Sequence, residues 1–227
     1  MLDLKPLSET QVYVPKPKKK AKRREYDEYE TPIAVAEQGL LWLFETHPGI
    51  YHKNLRVLEP GCGKNHPFLT VVNKHLPAAT LTGVELQHGS CGPAATVEHT
   101  GQFKLCRGTD FLPWPVFANP AEFDLIVTNP PYSLAEEFVR KTVTLLTDRG
   151  VAMFLLRLGF LASQKRLPLW TKDVRLRRLG VLTQRPSFIG GTDVKTDYGW
   201  FVFSRMNIAE FYTKPQMDWL PPIKKAA

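Results

Sequence analysis

The chain has 227 residues, 43% of them hydrophobic and 11% aromatic, which predicts one globular domain rather than two. Its net charge of +8 comes from 30 Lys and Arg against 22 Asp and Glu, which suggests a polyanionic partner. No apolar stretch is long enough to cross a bilayer, no secretory signal is evident and three cysteines show no paired pattern, so we expect a cytoplasmic protein without membrane contact.

Residues 1 to 28 are predicted to form a flexible basic arm ahead of a single domain over residues 29 to 227. Seven basic residues and no acidic residue lie between Lys16 and Arg24, and without them the counts would be 23 and 22. Such a run is typical of a solvated or localisation tail or of a nucleic-acid contact, and both interpretations stay open. The candidate nucleic-acid contacts in the arm are Lys18, Lys19, Lys20, Arg23 and Arg24.

After the arm, apolar strands alternate with segments of helical pattern. "TPIAVAEQGLLWLFETH" predicts a helix with Thr31 as its N-cap and Pro32 in its first position. "SLAEEFVRKTVTLL" predicts another, with a capping box of Ser133 and Glu136, and "HPFLTVVNKHL" and "PAATVEHT" are also interpreted as helical. The predicted strands are "LRVLEPG", "TLTGVEL", "FKLCRG", "FDLIVTNPP" and "GVAMFLLRLGF", followed by the extended segments "VRLRRLGVLTQRPSFIGG" and "DYGWFVFSR".

This pattern predicts an α/β fold with a doubly wound, mostly parallel seven-stranded sheet and a C-terminal antiparallel hairpin. Ligands of such sheets bind at the carboxyl ends of the strands. The motifs "EPGCG", "VEL", "GTDF" and "TNPPY" all fall at predicted strand ends, so we expect them to lie together.

Three of these motifs suit a nucleoside. Glycines at 61 and 63 let backbone approach a ligand closely, although a short Gly-x-Gly turn is weak when taken alone. Glu85 ends the second strand, where a carboxylate can accept hydrogen bonds from both ribose hydroxyls. Asp110 and Phe111 offer an acceptor for an adenine amine beside an apolar face.

In their order and spacing, these motifs resemble those of the class I S-adenosylmethionine-dependent methyltransferases that methylate exocyclic amines. The resemblance is to the N6-adenine DNA methyltransferases of the compact phage and prophage type, over about residues 29 to 204. It implies a Rossmann-like fold and S-adenosyl-L-methionine as the cofactor. The cofactor contacts that it implies are Tyr29, Thr31, Pro32, Glu59, Pro60, Gly61, Gly63, Glu85, Leu86, Asp110 and Phe111.

The motif "NPPY" predicts the catalytic residues Asn129, Pro130, Pro131 and Tyr132. An adenine N6 is a poor nucleophile because its lone pair is delocalised into the ring, so a catalyst must hold the amine with acceptors. The Asn129 side-chain oxygen and the Pro130 carbonyl can take the two amine hydrogens while Tyr132 stacks on the base. The resemblance implies that Phe188 supplies the other wall of the base pocket, against the alternative of a core aromatic.

The expected partner is DNA, from which the target base must be flipped out. A second basic patch spans Lys165 to Arg178, and a loop carries Lys195. The candidate nucleic-acid contacts outside the arm are Lys165, Arg166, Arg175, Arg177, Arg178 and Lys195.

Several alternatives stay open at this point. Structured RNA could replace DNA as the substrate, protein glutamine shares the "NPPY" chemistry, and the chain could be a catalytically inactive nucleic-acid-binding relic. His88, Cys91, His99 and Cys106 fit no standard zinc spacing, so we expect no metal.

Overall fold

The computed structural model describes residues 29–50, 54–87, 96–100, 103–114, 122–188, 196–205 and 214–223, which contain three α-helices and one nine-stranded sheet. The helices are α1 (Ile33–Thr46), α2 (Pro67–His75) and α3 (Ala135–Leu145). The strands are β1 (Arg56–Pro60), β2 (Thr80–Glu85), β3 (Thr96–Thr100), β4 (Phe103–Arg107), β5 (Phe123–Thr128), β6 (Leu146–Arg157), β7 (Val174–Leu182), β8 (Tyr198–Arg205) and β9 (Gln216–Leu220).

The strand order of the sheet is β3-β4-β2-β1-β5-β6-β8-β7-β9. The five strands from β4 to β6 are parallel, while β7 and β8 form an antiparallel hairpin that joins the sheet through β6. The chain passes outward from β1 to β2 and β4 and then returns to β5, so a topological switch point lies between β1 and β5. The predicted doubly wound, mostly parallel α/β sheet with a C-terminal hairpin is confirmed.

The sheet is wider than predicted, because β3 and β9 extend the seven predicted strands at the two edges. The helix predicted for "PAATVEHT" is wrong, since Thr96–Thr100 pairs antiparallel with β4. The β-branched residue types at 96, 97 and 100 favour this strand. At the other edge, β9 pairs in parallel with β7.

Each face of the sheet packs against its own hydrophobic core. Helices α1 and α2 cover one face, and α3 covers the other. Along β5, Leu125 and Val127 join the first core whereas Ile126 joins the second. Burial on both faces is the reason for the uninterrupted apolar run in this strand. None of the described helices has the length and apolarity needed to span a membrane.

Two predicted helix starts differ from the structure. Helix α1 begins at Ile33 with Pro32 in the cap position, so Thr31 is not the N-cap. Helix α3 follows a 3₁₀ turn over Tyr132–Leu134, with Leu134 in the cap position and no side-chain capping bond. The predicted capping box is therefore wrong. Glu136 instead forms an ion pair with Arg140 along the helix, at 2.9 Å.

Candidate active site

A cavity of about 420 Å³ lies at the carboxyl edge of the sheet, where β1, β2, β4 and β5 end. Segments that follow these strands form its walls, together with the residues just before α1. Pro32 and Pro60, two of the predicted cofactor residues, are not part of the walls. The other predicted cofactor residues all line the cavity, namely Tyr29, Thr31, Glu59, Gly61, Gly63, Glu85, Leu86, Asp110 and Phe111.

The glycine turn after β1 needs glycine for its backbone conformation. Gly61 and Gly63 have φ angles of 66° and 63°, in the left-handed region that disfavours side chains. A Cβ at Gly63 would meet no atom within 4 Å, so conformation rather than space selects glycine there. Cys62 between them is buried, and this burial raises the pKa of its thiol well above the ordinary value. The thiol therefore stays protonated and is unsuited to act as a nucleophile.

Glu59 connects the end of β1 to the start of α2. Its Oε2 accepts a hydrogen bond from the backbone N–H of Leu69, at 3.0 Å, which satisfies one of the unpaired donors in the first turn of α2. The carboxyl group is fully buried, and this burial raises its pKa well above the ordinary value of 4.5 despite the hydrogen bonds from the helix. The nearby carboxylate of Glu85 raises the pKa further.

Glu85 is held rigidly at the end of β2. Its Oε2 accepts from the Gly63 backbone N–H at 2.7 Å and its Oε1 accepts from the Gln87 N–H at 2.6 Å. A carboxylate has about four acceptor positions, so two bonds leave capacity for the hydroxyls of a ligand. One loop further along the edge, Asp110 accepts from the Leu112 N–H at 3.0 Å, which gives this exposed carboxylate a local turn-forming role as well.

The predicted catalytic turn follows β5 directly. Asn129 and Pro131 line the cavity, whereas Pro130 and Tyr132 lie outside its walls. The side-chain nitrogen of Asn129 donates to the backbone oxygen of Tyr29 at 2.9 Å and to Thr31 Oγ1 at 3.1 Å. Its side-chain oxygen is buried, and no partner for it is found in the described part of the chain. The two hydrogen bonds thus fix the orientation of the Asn129 amide and leave its side-chain oxygen available as an acceptor.

A buried hydrogen bond joins the predicted catalytic turn to the glycine turn. Thr128, the last residue of β5, is completely buried, and its hydroxyl donates to the backbone oxygen of Pro60 at 2.6 Å. Pro60 is the last residue of β1. The ends of the two strands at the switch point are therefore bonded to each other.

Aromatic rings surround Tyr132. The Tyr29 ring is stacked on it with a centroid distance of 6.0 Å and an interplanar angle of 26°, and the Tyr198 ring lies 5.6 Å away. The guanidinium carbon of Arg157 lies 4.7 Å from the centroid of the same ring. Burial of the Tyr132 hydroxyl raises its pKa, and the neighbouring Tyr198 adds to this effect. Tyr132 is therefore neutral at physiological pH and can stack but not act as a base.

Phe188 lies behind Tyr29. It is only 3% exposed, does not line the cavity and packs against Tyr29 and Tyr198 with centroid distances of 5.9 Å and 5.3 Å. In this arrangement it is a core aromatic, and a base could reach it only after Tyr29 moves. Its predicted role as the second wall of a base pocket stays a prediction.

The second basic patch is not a single surface. Arg175 is 6% exposed, and Arg178 forms an ion pair with Asp218 at 2.7 Å. Arg177 donates to Ser204 at 2.9 Å, near the amino edge of the sheet and away from the cavity. Because the residues of β7 alternate in direction, these three arginines do not share one face of the strand. Their contact with nucleic acid stays a prediction.

Lys165 and Arg166 follow β6 at the carboxyl edge, on the side of the cavity. Their contact with nucleic acid stays a prediction. The predicted contacts Lys18, Lys19, Lys20, Arg23, Arg24 and Lys195 lie outside the described residues. The described residues contain no group of three or more potential metal ligands, and His88 and Cys91 are not among them.

Arg157, which contacts the Tyr132 ring, is not among the residues predicted from the sequence. Arg157 lies within the predicted strand "GVAMFLLRLGF" and is the last residue of β6, so it lies at the same edge as the other strand-end motifs. The hydrogen bonds that Asn129 donates to Tyr29 and Thr31 leave no pattern in the sequence, because about one hundred residues separate these partners in the chain.

Neither the protein-family models nor the curated proteins give a match to this sequence. Among solved structures, a protein of Listeria monocytogenes described as a class I S-adenosylmethionine-dependent methyltransferase has 14% identity and a TM-score of 0.60, over 86% of this chain and 67% of that one. TrmN from Thermus thermophilus has 21% identity and a TM-score of 0.51, over 76% of this chain.

The chain spans about half of TrmN, since 49% of that protein is covered. The plantazolicin methyltransferase BpumL, in complex with a triazolic desmethylPZN analogue and SAH, has 15% identity and a TM-score of 0.50, over 80% of this chain and 88% of that one. At these identities the comparisons establish the fold alone. The chain has the fold of the class I methyltransferases.

Proposed function

We propose that this protein is an S-adenosylmethionine-dependent methyltransferase that methylates the N6 amine of an adenine flipped out of DNA. The observation that carries the proposal is the state of the Asn129 amide. Its nitrogen is satisfied by two acceptors, while its oxygen is buried next to the cavity with no partner in the described residues. An unpaired buried acceptor costs about 1–3 kcal/mol, and a donor that arrives with the substrate would remove this cost.

The cavity suits S-adenosylmethionine. Its volume of about 420 Å³ is within the range of small-molecule sites, and the oriented carboxylate of Glu85 can accept from a ribose. The backbone of Gly61 and Gly63 can approach the methionine part, and Phe111 with Asp110 can hold the adenine. The carboxylates along these walls also favour a cationic ligand. The bound cofactor supplies an electrophilic methyl group on its sulfonium. Among the similar folds, BpumL has been crystallised with SAH.

The residues of the catalytic turn act on the acceptor amine. Asn129 Oδ1 and the Pro130 carbonyl each accept one amine hydrogen, which favours a pyramidal nitrogen and frees its lone pair. The prolines restrict the backbone of the turn, so the side chain of Asn129, which lines the cavity, is positioned before the substrate arrives. Tyr132 supplies a planar surface for the base. These residues thus align the amine with the methyl group and accept hydrogen bonds from its two hydrogens. No side chain is required as a covalent nucleophile.

The test measures transfer of labelled methyl groups from S-adenosylmethionine to duplex DNA and to structured RNA. Asn129→Ala should lower kcat by about 10²- to 10³-fold, the loss typical of a removed oriented hydrogen-bonding group, and leave cofactor affinity nearly unchanged. Glu85→Ala is the matched control and should weaken cofactor binding first. Full activity of Asn129→Ala would refute the catalytic assignment, and label found only in RNA would refute DNA as the substrate.

A further inference from the structure

Charged side chains lie in both halves of the carboxyl edge of the sheet, one half on each side of β5. On one side of β5, the segments after β2 and β4 present the carboxylates of Glu85 and Asp110 to the cavity, and Lys64 lines it as well. On the other side, β6 ends in Arg157, and Arg185 follows β7. The catalytic turn after β5 lies between the two halves. A polyanion that approaches this edge is repelled by the carboxylates of Glu85 and Asp110 and attracted by Arg157.

Arg157 differs from the other cations of the second half. Arg166 donates to the backbone oxygen of Phe160 at 2.9 Å, and Arg185 forms an ion pair with Asp197 at 2.9 Å. Arg157 is exposed, and no hydrogen bond or ion pair of its guanidinium is found within the described ranges. Its guanidinium carbon lies 4.7 Å from the centroid of the Tyr132 ring. This planar cation therefore keeps its donors available beside the surface on which a base would stack.

From this geometry we infer that Arg157 binds a backbone phosphate next to the target nucleotide, so that the nucleic acid crosses the sheet edge above β6, β8 and β7. The inference rests on the proposed function. A base that stacks on Tyr132 carries its own phosphate close to that ring, within reach of a guanidinium that lies against it. Arginine suits this contact because its donors match two phosphate oxygens at once. Lys165 and Arg166 continue the same side of the edge, whereas Arg175 and Arg177 do not.

The test uses the full chain with S-adenosylmethionine and a duplex that contains adenine. Binding is followed by fluorescence anisotropy at a series of salt concentrations. Arg157→Gln should weaken binding about tenfold and lower the slope of log affinity against log salt by about 1, the change expected for one lost phosphate contact. Arg149→Gln is the matched control, because Arg149 is an exposed arginine at the opposite, amino end of β6. It should leave both quantities unchanged.

A second substitution separates charge from packing. Arg157→Lys retains the positive charge but loses the planar group that lies on Tyr132. It should keep the wild-type salt slope and lose only a few-fold in affinity, whereas a purely structural role would make the lysine and glutamine variants equally defective with the slope unchanged. That result, or wild-type binding by Arg157→Gln in an enzyme that methylates DNA, would overturn this inference and leave the proposed function standing. If the wild-type chain methylates no nucleic acid, both proposals fail.

Discussion

Thr31→Val should slow methyl transfer without weakening the cofactor complex. Thr31 is 4% exposed, and its hydroxyl is one of two acceptors for the amide nitrogen of Asn129, at 3.1 Å. Valine has nearly the same shape as threonine but cannot accept this hydrogen bond. The Tyr29 carbonyl, at 2.9 Å, would then hold the amide alone. A larger share of molecules should therefore present the Asn129 amide in unproductive orientations.

The expected size of the effect follows from one neutral hydrogen bond. Such a bond contributes about 0.5–1.5 kcal/mol, which corresponds to a decrease in kcat of about two- to twelvefold. This loss is much smaller than that expected for Asn129→Ala, because the acceptor oxygen itself remains. Thr31→Ser retains the hydroxyl and should keep most of the wild-type rate.

The assay is steady-state methylation at saturating DNA, combined with calorimetry of cofactor binding. A normal kcat for Thr31→Val would show that the threonine does not orient the amide. A loss as large as that of Asn129→Ala would show that more than one hydrogen bond had been disturbed. A defect confined to cofactor affinity would return Thr31 to a role in cofactor binding alone.

Three further predictions concern the stability of the fold and the binding of DNA. Glu59→Gln should have a higher free energy of unfolding than the wild type, and this difference, measured by urea denaturation, should grow as the pH rises above 4.5. The reason is that the raised pKa makes the folded wild-type chain hold a proton that the unfolded chain releases. Tyr29→Ala should lower the KM for DNA about two- to twelvefold, because it removes a ring that is stacked on Tyr132 and that a base must displace, and such a ring pair contributes about 0.5–1.5 kcal/mol. Gly39→Ala should lower the melting temperature by several degrees, since a Cβ there would lie 2.4 Å from Trp200 and such overpacking costs about 1–3 kcal/mol.

Each of these predictions has a control and a result that would refute it. The stability difference for Glu59→Gln must change with pH, and a constant offset would contradict the assigned pKa direction. Tyr29→Phe keeps the ring and should behave as the wild type, while a higher KM for Tyr29→Ala would make Tyr29 a wall of the base pocket. Gly49→Ala is the control for Gly39→Ala, because a Cβ at Gly49 meets nothing within 4 Å, and equal melting temperatures would refute the steric argument.

The sequence was sufficient to predict the site where chain direction alone determines the outcome. Parallel strands end at one edge, so the apolar runs before Glu85 and Asn129 required these residues to lie close together. It was insufficient where distant side chains compete for the same space, as with Tyr29, which covers Tyr132 and lies in front of Phe188. It also failed where charge density was considered without strand direction, as with Arg175, which is buried although its neighbours in sequence are basic.

The hydrogen bond from Thr128 to Pro60 has a thermodynamic consequence. It connects the glycine turn, which is proposed to bind the methyl donor, directly to the turn after β5, which is proposed to bind the methyl acceptor. A ligand that orders one loop therefore also orders the other loop in part. The second ligand then loses less conformational entropy when it binds. Donor and recipient should strengthen each other's binding by the same factor, as reciprocity requires, without any visible domain movement.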